Sequence, residues 1–170
     1  SYVKQLNKND IQCTRTLQDL SDNYYDTIFC FHTFEHLSDP LAVIQELKTK
    51  LVLGGTLIVE VPHAKDFLLN YMRSEPFKDF TLWSQHLILH TRVSLERFFK
   101  RTAFDHLTVQ GIQRYNLANH LTWLAHGLPG GHKKPISVIE TKELQSAYEN
   151  SLRMIDATDT LIAIGSKTKF

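Results

Sequence analysis

The sequence is poor in cysteine and contains no long hydrophobic run. Its two cysteines, Cys13 and Cys30, are too few for a disulfide framework or a zinc site built from cysteines, so we expect a reducing, cytoplasmic environment. No apolar stretch approaches the roughly 20 residues that span a bilayer. The first residues, Ser1–Gln5, are polar and do not resemble a signal peptide. We therefore expect no membrane partner.

The chain also lacks an excess of charge of either sign. It has 19 Lys and Arg against 18 Asp and Glu, a formal net charge of +1. A dedicated nucleic-acid-binding protein normally carries a marked excess of Lys and Arg, so we expect no nucleic-acid partner. The length of 170 residues and the apolar content of 42% are typical of one globular domain, which buries about two thirds of the surface of its unfolded chain. Nine histidines are an unusually high count.

The first half of the chain has the pattern strand, helix, strand. Tyr25–Phe31 is a nearly uninterrupted apolar run, which predicts a strand of a parallel sheet covered on both faces. Ser38-Asp39-Pro40 predicts the start of a helix over Leu41–Leu51, which the pair Gly54-Gly55 would end. A second buried strand is predicted over Thr56–Val61. Two strands joined through a helix form a right-handed parallel crossover by default.

Five further elements are predicted outside this unit. They are a helix at Tyr2–Leu6, a strand at Asp10–Thr16, a helix at Ser94–Arg101 capped by Ser94, and strands at His106–Ile112 and Thr160–Ile164. Between the last two strands, Tyr115–Asp156 has a loop-prone centre at Gly127–His132 and a helical pattern at Glu143–Met154. A segment of this length is typical of a lid or an interface insert. We therefore divide the chain into a core domain, residues 1–114 and 157–170, and an insert or lid, residues 115–156.

The strongest cluster of reactive side chains follows the first apolar strand. It contains His32, Glu35 and His36. Ligands of open α/β sheets bind outside the carboxyl ends of the strands, so we interpret these residues as part of a site. The alternative is that the two histidines only hydrogen-bond loop carbonyls. The spacing His32-x-x-Glu35-His36 also spells an inverted zinc-protease motif, but that motif requires a helix and a β run precedes it here, so a metal-dependent hydrolase is the least favoured hypothesis.

Three short motifs occur in an order that is specific for one superfamily. They are Tyr25-Asp26-Thr27-Ile28, Glu35-His36-Leu37-x-x-Pro40 and Leu51-x-x-Gly54-Gly55-Thr56-Leu57. In this order they resemble the later half of class I S-adenosylmethionine-dependent methyltransferases. Two downstream segments, Asn116–Leu121 and Pro129–His132, are similar to a bacterial branch often associated with surface-polysaccharide gene clusters. The resemblance covers about residues 10–167.

The chain departs from this family at its amino-terminal end. Class I enzymes open with a strand and a glycine-rich loop around the methionine part of the cofactor, and the next strand ends in an acidic residue for the ribose. Here no glycine precedes Gly54, and the first 24 residues cannot contain both strands. We therefore expect an α/β fold with an incomplete Rossmann-like sheet that lacks its first two strands and has a helical insert before the last strand. The chain would be a truncated enzyme or, alternatively, a cofactor-free interaction module that retains half of the fold.

The resemblance implies S-adenosyl-L-methionine as the cofactor and methyl transfer to a small hydroxylated acceptor, such as a sugar or nucleotide-sugar. For this chain alone, cofactor binding is expected to be poor. The residues that would border the cofactor are Thr16, Leu17, Phe31, His32 and Thr33. His36 is the first candidate for a general base and His32 the second, with Glu35 to orient the ring.

No metal is expected in the leading hypothesis. In an alternative that the resemblance also implies, His32, Glu35 and His36 would hold a divalent ion with one more ligand from His63, His86 or His90. Weaker candidates for an acceptor site are Trp83–His86, Tyr115-Asn116, His63 and the turn Pro129–His132. Loss of the first strands would leave an apolar edge open at Thr27–Phe31, so we expect either a homodimer joined there or Asp10–Thr16 in the vacant place.

Overall fold

Four strands form one mixed sheet in the computed structural model, which describes residues 2–168. They are β1 (Tyr25–Phe31), β2 (Leu51–Pro62), β3 (Asp105–Ile112) and β4 (Thr160–Ser166), in the order β1-β2-β4-β3. β1 and β2 are parallel, as the crossover pattern predicts, and β4 runs antiparallel to both β2 and β3. The predicted incomplete Rossmann-like sheet is confirmed, with a helical segment before its last strand.

Seven α-helices and four short 3₁₀ turns connect the strands in the part of the chain that the structure describes. The helices are α1 (Tyr2–Lys8), α2 (Pro40–Lys50), α3 (Phe67–Asn70), α4 (Glu75–Thr81), α5 (Arg92–Arg101), α6 (Leu117–His126) and α7 (Lys142–Met154). The 3₁₀ turns are Leu17–Asp19, Phe34–His36, Gly131–Lys133 and Pro135–Ile139. Among these described residues, no helix is both long enough and apolar enough to cross a membrane.

Helix α2 begins where the sequence predicts and ends earlier. The Asp39 carboxylate accepts the backbone N–H of Ala42 at 3.0 Å, and Pro40 occupies the first turn, where a missing N–H costs nothing. The predicted end at Gly54-Gly55 is wrong, because both glycines lie inside β2. There the Gly54 N–H donates to the carbonyl of Lys167, and the Lys167 N–H donates to the carbonyl of Gly55. Pairing with the carboxyl-terminal segment, which local sequence does not reveal, extends the strand.

Helix α5 starts two residues before the predicted boundary. Its cap is Thr91, whose hydroxyl accepts the Ser94 N–H, while the Ser94 side chain accepts the Thr91 N–H in return. Ser94 is therefore the third residue of a capping box and not the cap. The buried face of the helix joins a single apolar core between the sheet and helices α2 and α5. The buried core residues are Phe34, Ile44, Leu47, Leu51, Leu57, Val59, Val61, Leu95, Phe99, Phe104, Leu161 and Ala163.

Two expectations for the amino-terminal part are wrong. Asp10–Thr16 forms no strand, because no described strand lies beside it to complete a ladder; it is held instead by Asn7, whose side chain bonds both the N–H and the carbonyl of Cys13. β1 is not covered on both faces, since Phe29 and Phe31 are 60% and 50% exposed. Among the described residues β1 pairs only with β2, so its other edge is open.

The segment between β3 and β4 is anchored by the first helix in it. The Asn116 side chain caps α6 by accepting the N–H of Asn119, and the Asn119 side chain accepts the N–H groups of Gly130 and Gly131. Gly131 packs so closely on the helix that a Cβ atom there would lie 2.1 Å from the carbonyl oxygen of Ala118. Only glycine fits this position, and it fixes the loop beside the carboxyl end of β2.

Candidate active site

A cavity of about 470 Å³ lies at the carboxyl ends of β1 and β2, between the sheet and the β3–β4 segment. Its walls combine a histidine-rich polar side with an aromatic side. The polar residues include His32, Glu35, His36, His63, Asp66, His86, Arg114, Asn119, His120, His132, Lys133 and Asp159, and the aromatic ones Phe77, Phe80, Tyr115 and Trp123. The position at the strand ends is the one that open α/β sheets use for ligands.

His32 directly follows β1 and is held by charged neighbours. Its φ of +46° is in the left-handed region, which is uncommon for a residue with a side chain. Nε2 lies 2.9 Å from Oε1 of Glu60, and the Arg114 guanidinium contacts both the His32 ring and Glu60. Nδ1 lies 3.5 Å from Oε1 of Glu35. Both ring nitrogens thus face charged groups of the protein itself.

Glu35 and His36 lie on the 3₁₀ turn that follows, with Glu35 almost fully buried and 1% exposed. Oε1 of Glu35 lies 3.9 Å from Nε2 of His36, and Oε2 has no hydrogen-bond partner among the described residues. Nδ1 of His36 lies 2.6 Å from the carbonyl oxygen of Gln85. Because a carbonyl can only accept, Nδ1 carries the proton and Nε2 is left with a free lone pair.

His86 comes to the same place from a distant part of the sequence. Its Nδ1 lies 2.7 Å from the carbonyl oxygen of Thr81, and its ring centroid is 4.9 Å from that of His36. Ligating atoms of Glu35, His36 and His86 all lie within 4.8 Å of one another. The alternative metal set is therefore only partly assembled, since His32 is outside this group of three.

The two other histidines considered as metal ligands are buried and lie outside this group of three. His63 is buried, with Nδ1 3.0 Å from the carbonyl oxygen of Thr158, and burial lowers its pKa. His90 is fully buried, its ring is 5.1 Å from the Phe34 ring, and burial lowers the pKa of His90 to about 4. Both rings are therefore neutral at pH 7, and neither joins Glu35.

Two buried carboxyl groups were not found from the sequence. Asp66 caps α3 by accepting the Leu68 N–H at 2.6 Å, and burial together with the charge of Asp159 raises the pKa of Asp66 to about 7. Asp159 accepts the N–H groups of Arg114 and Tyr115, and burial raises its pKa as well. Asp66 follows the carboxyl end of β2 closely, so the strand-end rule that selected His32 could also have selected it.

His120 links the inserted segment to this acidic side of the cavity. Its Nδ1 lies 2.6 Å from the Tyr148 hydroxyl, and its Nε2 lies 3.2 Å from the side-chain amide of Gln113. Gln113 in turn donates to Asp159. Burial lowers the pKa of His120 to about 4, so the network contains a neutral ring. These contacts hold α6 and α7 against the end of the sheet.

Of the five residues expected to border the cofactor, only His32 lines this cavity. Thr16 is exposed and precedes the turn Leu17–Asp19, and Leu17 packs against the core. Phe31 is half exposed, and the exposed Thr33 donates its hydroxyl to the carbonyl of Phe31. These four residues therefore do not line the cavity, although Phe31 and Thr33 flank His32 and the Thr33 carbonyl accepts the N–H of His36.

Residues 3–109, more than half of the chain, match the sequence profile of the family described as "Methyltransferase domain". The chain belongs to this methyltransferase family. The predicted resemblance to class I S-adenosylmethionine-dependent methyltransferases is confirmed by this match and by the architecture of the solved relatives.

Solved methyltransferases share the fold of this methyltransferase domain at low sequence identity. A S-adenosylmethionine-dependent methyltransferase from Archaeoglobus fulgidus is 13% identical with a TM-score of 0.62, over 98% of this chain and 72% of the other. A possible histamine N-methyltransferase from Thermotoga maritima is 14% identical with a TM-score of 0.60, over 98% and 70%. The tRNA U34 carboxymethyltransferase of Campylobacter concisus is 32% identical over 34% of this chain and 29% of the relative. The chain thus spans less than a third of that curated relative. Because this relative is named for a tRNA, the comparisons do not support the expectation of no nucleic-acid partner.

S-adenosylmethionine is the cofactor of this methyltransferase family. The first glycine of the chain is Gly54, inside β2, so the described residues provide no glycine-rich turn for the methionine part. The free edge of β1 has no described strand beside it that could carry such a turn. The residues present therefore do not fit the whole cofactor by themselves. What they assemble is a cavity at the strand ends, with a histidine pair, a buried glutamate and aromatic walls.

Proposed function

We propose that this methyltransferase domain forms the acceptor side of an enzyme that transfers a methyl group from S-adenosylmethionine to a small hydroxylated molecule such as a sugar or nucleotide-sugar. The observation that carries the proposal is the histidine cluster at the carboxyl ends of β1 and β2, open to a cavity of about 470 Å³. Aromatic side chains line the same cavity, and their flat apolar faces can pack against a sugar ring. The cofactor supplies a methyl group that is already activated, so the chain must align the acceptor and remove its proton.

His36 is the residue best placed to accept that proton. Its Nδ1–H donates to the Gln85 carbonyl, which fixes the ring and leaves Nε2 basic. The buried carboxylate of Glu35, 3.9 Å from Nε2, stabilises the positive charge that protonation creates. His32 is the second candidate, because its Nε2 is already engaged by Glu60 and Arg114.

The segment 115–156 is proposed as a cover over the acceptor side. It contributes the cavity residues Tyr115, Asn119, His120, Trp123, Pro129, Gly130, His132 and Lys133. Within this segment, helix α7 contacts helix α6 through the Tyr148 hydroxyl and the His120 ring. A segment that supplies this much of the wall controls both the shape of the cavity and the access of water to it.

The proposed function is tested by transfer of labelled methyl from S-adenosylmethionine in the full-length protein. The acceptor panel contains nucleotide-sugars, free sugars, small amines and tRNA. Each hydroxylated acceptor is compared with an analogue that lacks the target hydroxyl, where such an analogue exists. We expect label in a sugar-containing acceptor and none in its deoxy analogue. If only tRNA were labelled, the acceptor would be RNA and not a small molecule, as the name of the carboxymethyltransferase relative indicates for that protein. No transfer to any acceptor would favour the interaction-module alternative.

The 170-residue chain alone should bind S-adenosylmethionine more weakly than about 1 mM, near −4 kcal/mol. The reason is that it has no glycine before Gly54 and therefore no turn whose backbone can approach the methionine part. Isothermal titration calorimetry measures this directly, with the full-length protein as the control that should bind. A micromolar dissociation constant for the 170-residue chain would contradict the prediction and point to another cofactor site.

The open edge of β1 should make the same 170-residue chain self-associate. Among the residues that the structure describes, Thr27–Phe31 has one unpaired edge and exposes Phe29 and Phe31, whose rings lie 5.3 Å apart. An uncovered apolar strand edge is a template for pairing with another chain. Sedimentation velocity should therefore show a dimer, and a Phe29→Lys variant should be monomeric because a charge on the edge opposes pairing. A wild-type monomer at high concentration would contradict this prediction.

A further inference from the structure

We propose that Glu35, His36 and His86 form a binding site for a divalent metal ion of the zinc type. Each residue offers one ligating atom, and the three atoms lie within 4.8 Å of one another at the wall of the cavity. Two imidazoles and one carboxylate are a ligand set that zinc uses in catalytic sites, where a fourth position stays open for a water or a substrate. All three residues line the cavity.

The two histidines are already oriented as metal ligands. In metal sites a ligating imidazole almost always donates its other N–H to a carbonyl or a carboxylate, which fixes the tautomer and the ring. Nδ1 of His36 does so to the carbonyl of Gln85, and Nδ1 of His86 does so to the carbonyl of Thr81. Nε2 of each ring is therefore the atom available to a metal ion.

The glutamate supplies an independent observation. Glu35 is 1% exposed, and its Oε2 has no hydrogen-bond partner among the described residues. A buried carboxylate oxygen without a donor is costly and needs an explanation, and a bound metal ion is one such explanation. Oε1 of Glu35 lies 3.5 Å from Nδ1 of His32 and 3.9 Å from Nε2 of His36.

The backbone also holds the two halves of the site together. The carbonyl oxygen of Glu35 accepts the N–H groups of Leu87 at 2.9 Å and Ile88 at 3.2 Å. The turn that carries Glu35 and His36 is thereby joined to the loop that carries His86. In a tetrahedral zinc site with bonds of 2.0 to 2.1 Å, the ligating atoms lie about 3.3 Å apart. The three atoms here lie within 4.8 Å of one another, so side-chain rotations that move each atom by about 1 Å would bring them to that spacing.

His32 does not belong to this site, although the sequence spacing places it in the inverted zinc-protease motif. The residues Phe34–His36 form a 3₁₀ turn and not the helix that the motif requires. Nε2 of His32 instead contacts the Glu60 carboxylate and the Arg114 guanidinium. The ligand that completes the site comes from 50 residues further along the chain.

The inference goes beyond the proposed function and does not depend on it. A divalent ion at this position would hold an acceptor oxygen and lower the pKa of its hydroxyl group. Nε2 of His36 would then be a ligand, whereas in the metal-free site it accepts the proton itself. Metal binding is measurable without cofactor or acceptor, so its failure leaves the methyl-transfer proposal standing, and failure of methyl transfer leaves the metal site standing.

The test is metal binding by the chelator-treated full-length protein. Zn²⁺ is titrated calorimetrically, and Co²⁺ is followed by its visible absorption, which reports coordination geometry. We expect one ion per chain with micromolar or tighter affinity. Glu35→Gln, His36→Ala and His86→Ala should each weaken binding by at least about tenfold, since even residues behind the ligands change metal affinity by about 10- to 100-fold.

His132→Ala is the matched control, because His132 lines the same cavity but is outside the group of three. It should bind Zn²⁺ as the wild type does. Circular dichroism of each variant checks the fold, and Glu35→Gln keeps the shape of the buried side chain. Absence of stoichiometric binding by the wild type, or binding that survives the His36→Ala/His86→Ala double substitution, would overturn the proposal.

Discussion

Substitution of His36 by alanine in the full-length protein should lower kcat for methyl transfer by about 10²- to 10⁴-fold, the usual effect of removing a general base. The ring is held by the Gln85 carbonyl at 2.6 Å, with its free Nε2 near the Glu35 carboxylate. Alanine removes the proton acceptor and leaves the rest of the cavity in place. The dissociation constant of the cofactor should change little, because His36 was not among the residues expected to border it. Single-turnover kinetics and equilibrium binding separate the two quantities.

A histidine away from the cavity provides the control for this experiment. His126 lies in the last turn of α6, is exposed and does not line the cavity, so His126→Ala should leave kcat unchanged. Unchanged turnover in His36→Ala would exclude His36 as the base and leave His32 as the remaining candidate. Loss of wild-type turnover on chelation, restored by a divalent ion, would instead show that Nε2 of His36 acts as a metal ligand.

Replacement of Asp66 by asparagine should stabilise the protein at alkaline pH and not at acidic pH. Burial and the charge of Asp159 raise the pKa of Asp66 to about 7 in the folded state, against about 3.9 for an unfolded Asp. The folded state therefore binds more protons between these two values, and stability falls as the pH rises from about 4 to 7. Three pKa units correspond to about 4 kcal/mol, which is the stabilisation expected for Asp66→Asn at pH 8.

The asparagine keeps the structural role of the carboxylate. Its side-chain oxygen can still accept the N–H groups of Leu68 and Leu69 that Asp66 caps. Denaturant unfolding at pH 4, 6 and 8 measures the difference, with the exposed Asp79→Asn as the control that should show none. A gain of the same size at pH 4 and at pH 8 would show that Asp66 does not titrate in this range.

Much of the fold could be predicted because it depends on short-range patterns. The apolar run Tyr25–Phe31 is β1, and the Asp39-Pro40 pair starts α2 through a cap within the first turn. The helical pattern over Glu143–Met154 corresponds to α7. In each case the residues that determine the element lie within it or next to it, so the local sequence carries the information.

The boundaries that were wrong depend on distant partners. β2 continues through Gly54-Gly55 because Lys167 pairs with both glycines. Asp10–Thr16 remains unpaired because a strand needs a neighbour, which the described residues do not provide. Phe29 and Phe31 are exposed for the same reason, since whether a strand face is covered depends on what packs on it.

The sequence by itself determined the α/β class and the methyltransferase family, and it predicted a site at His32, Glu35 and His36 after a strand. Only the tertiary structure decided that His86 lies beside His36, that His32 is occupied by Glu60 and Arg114, and that Asp66 is buried. The physical reason is the distance along the chain over which each kind of interaction acts. Capping and hydrophobic periodicity act over a few residues, whereas a site is assembled by packing that joins distant segments of the chain, and burial then decides which side chains hold a proton.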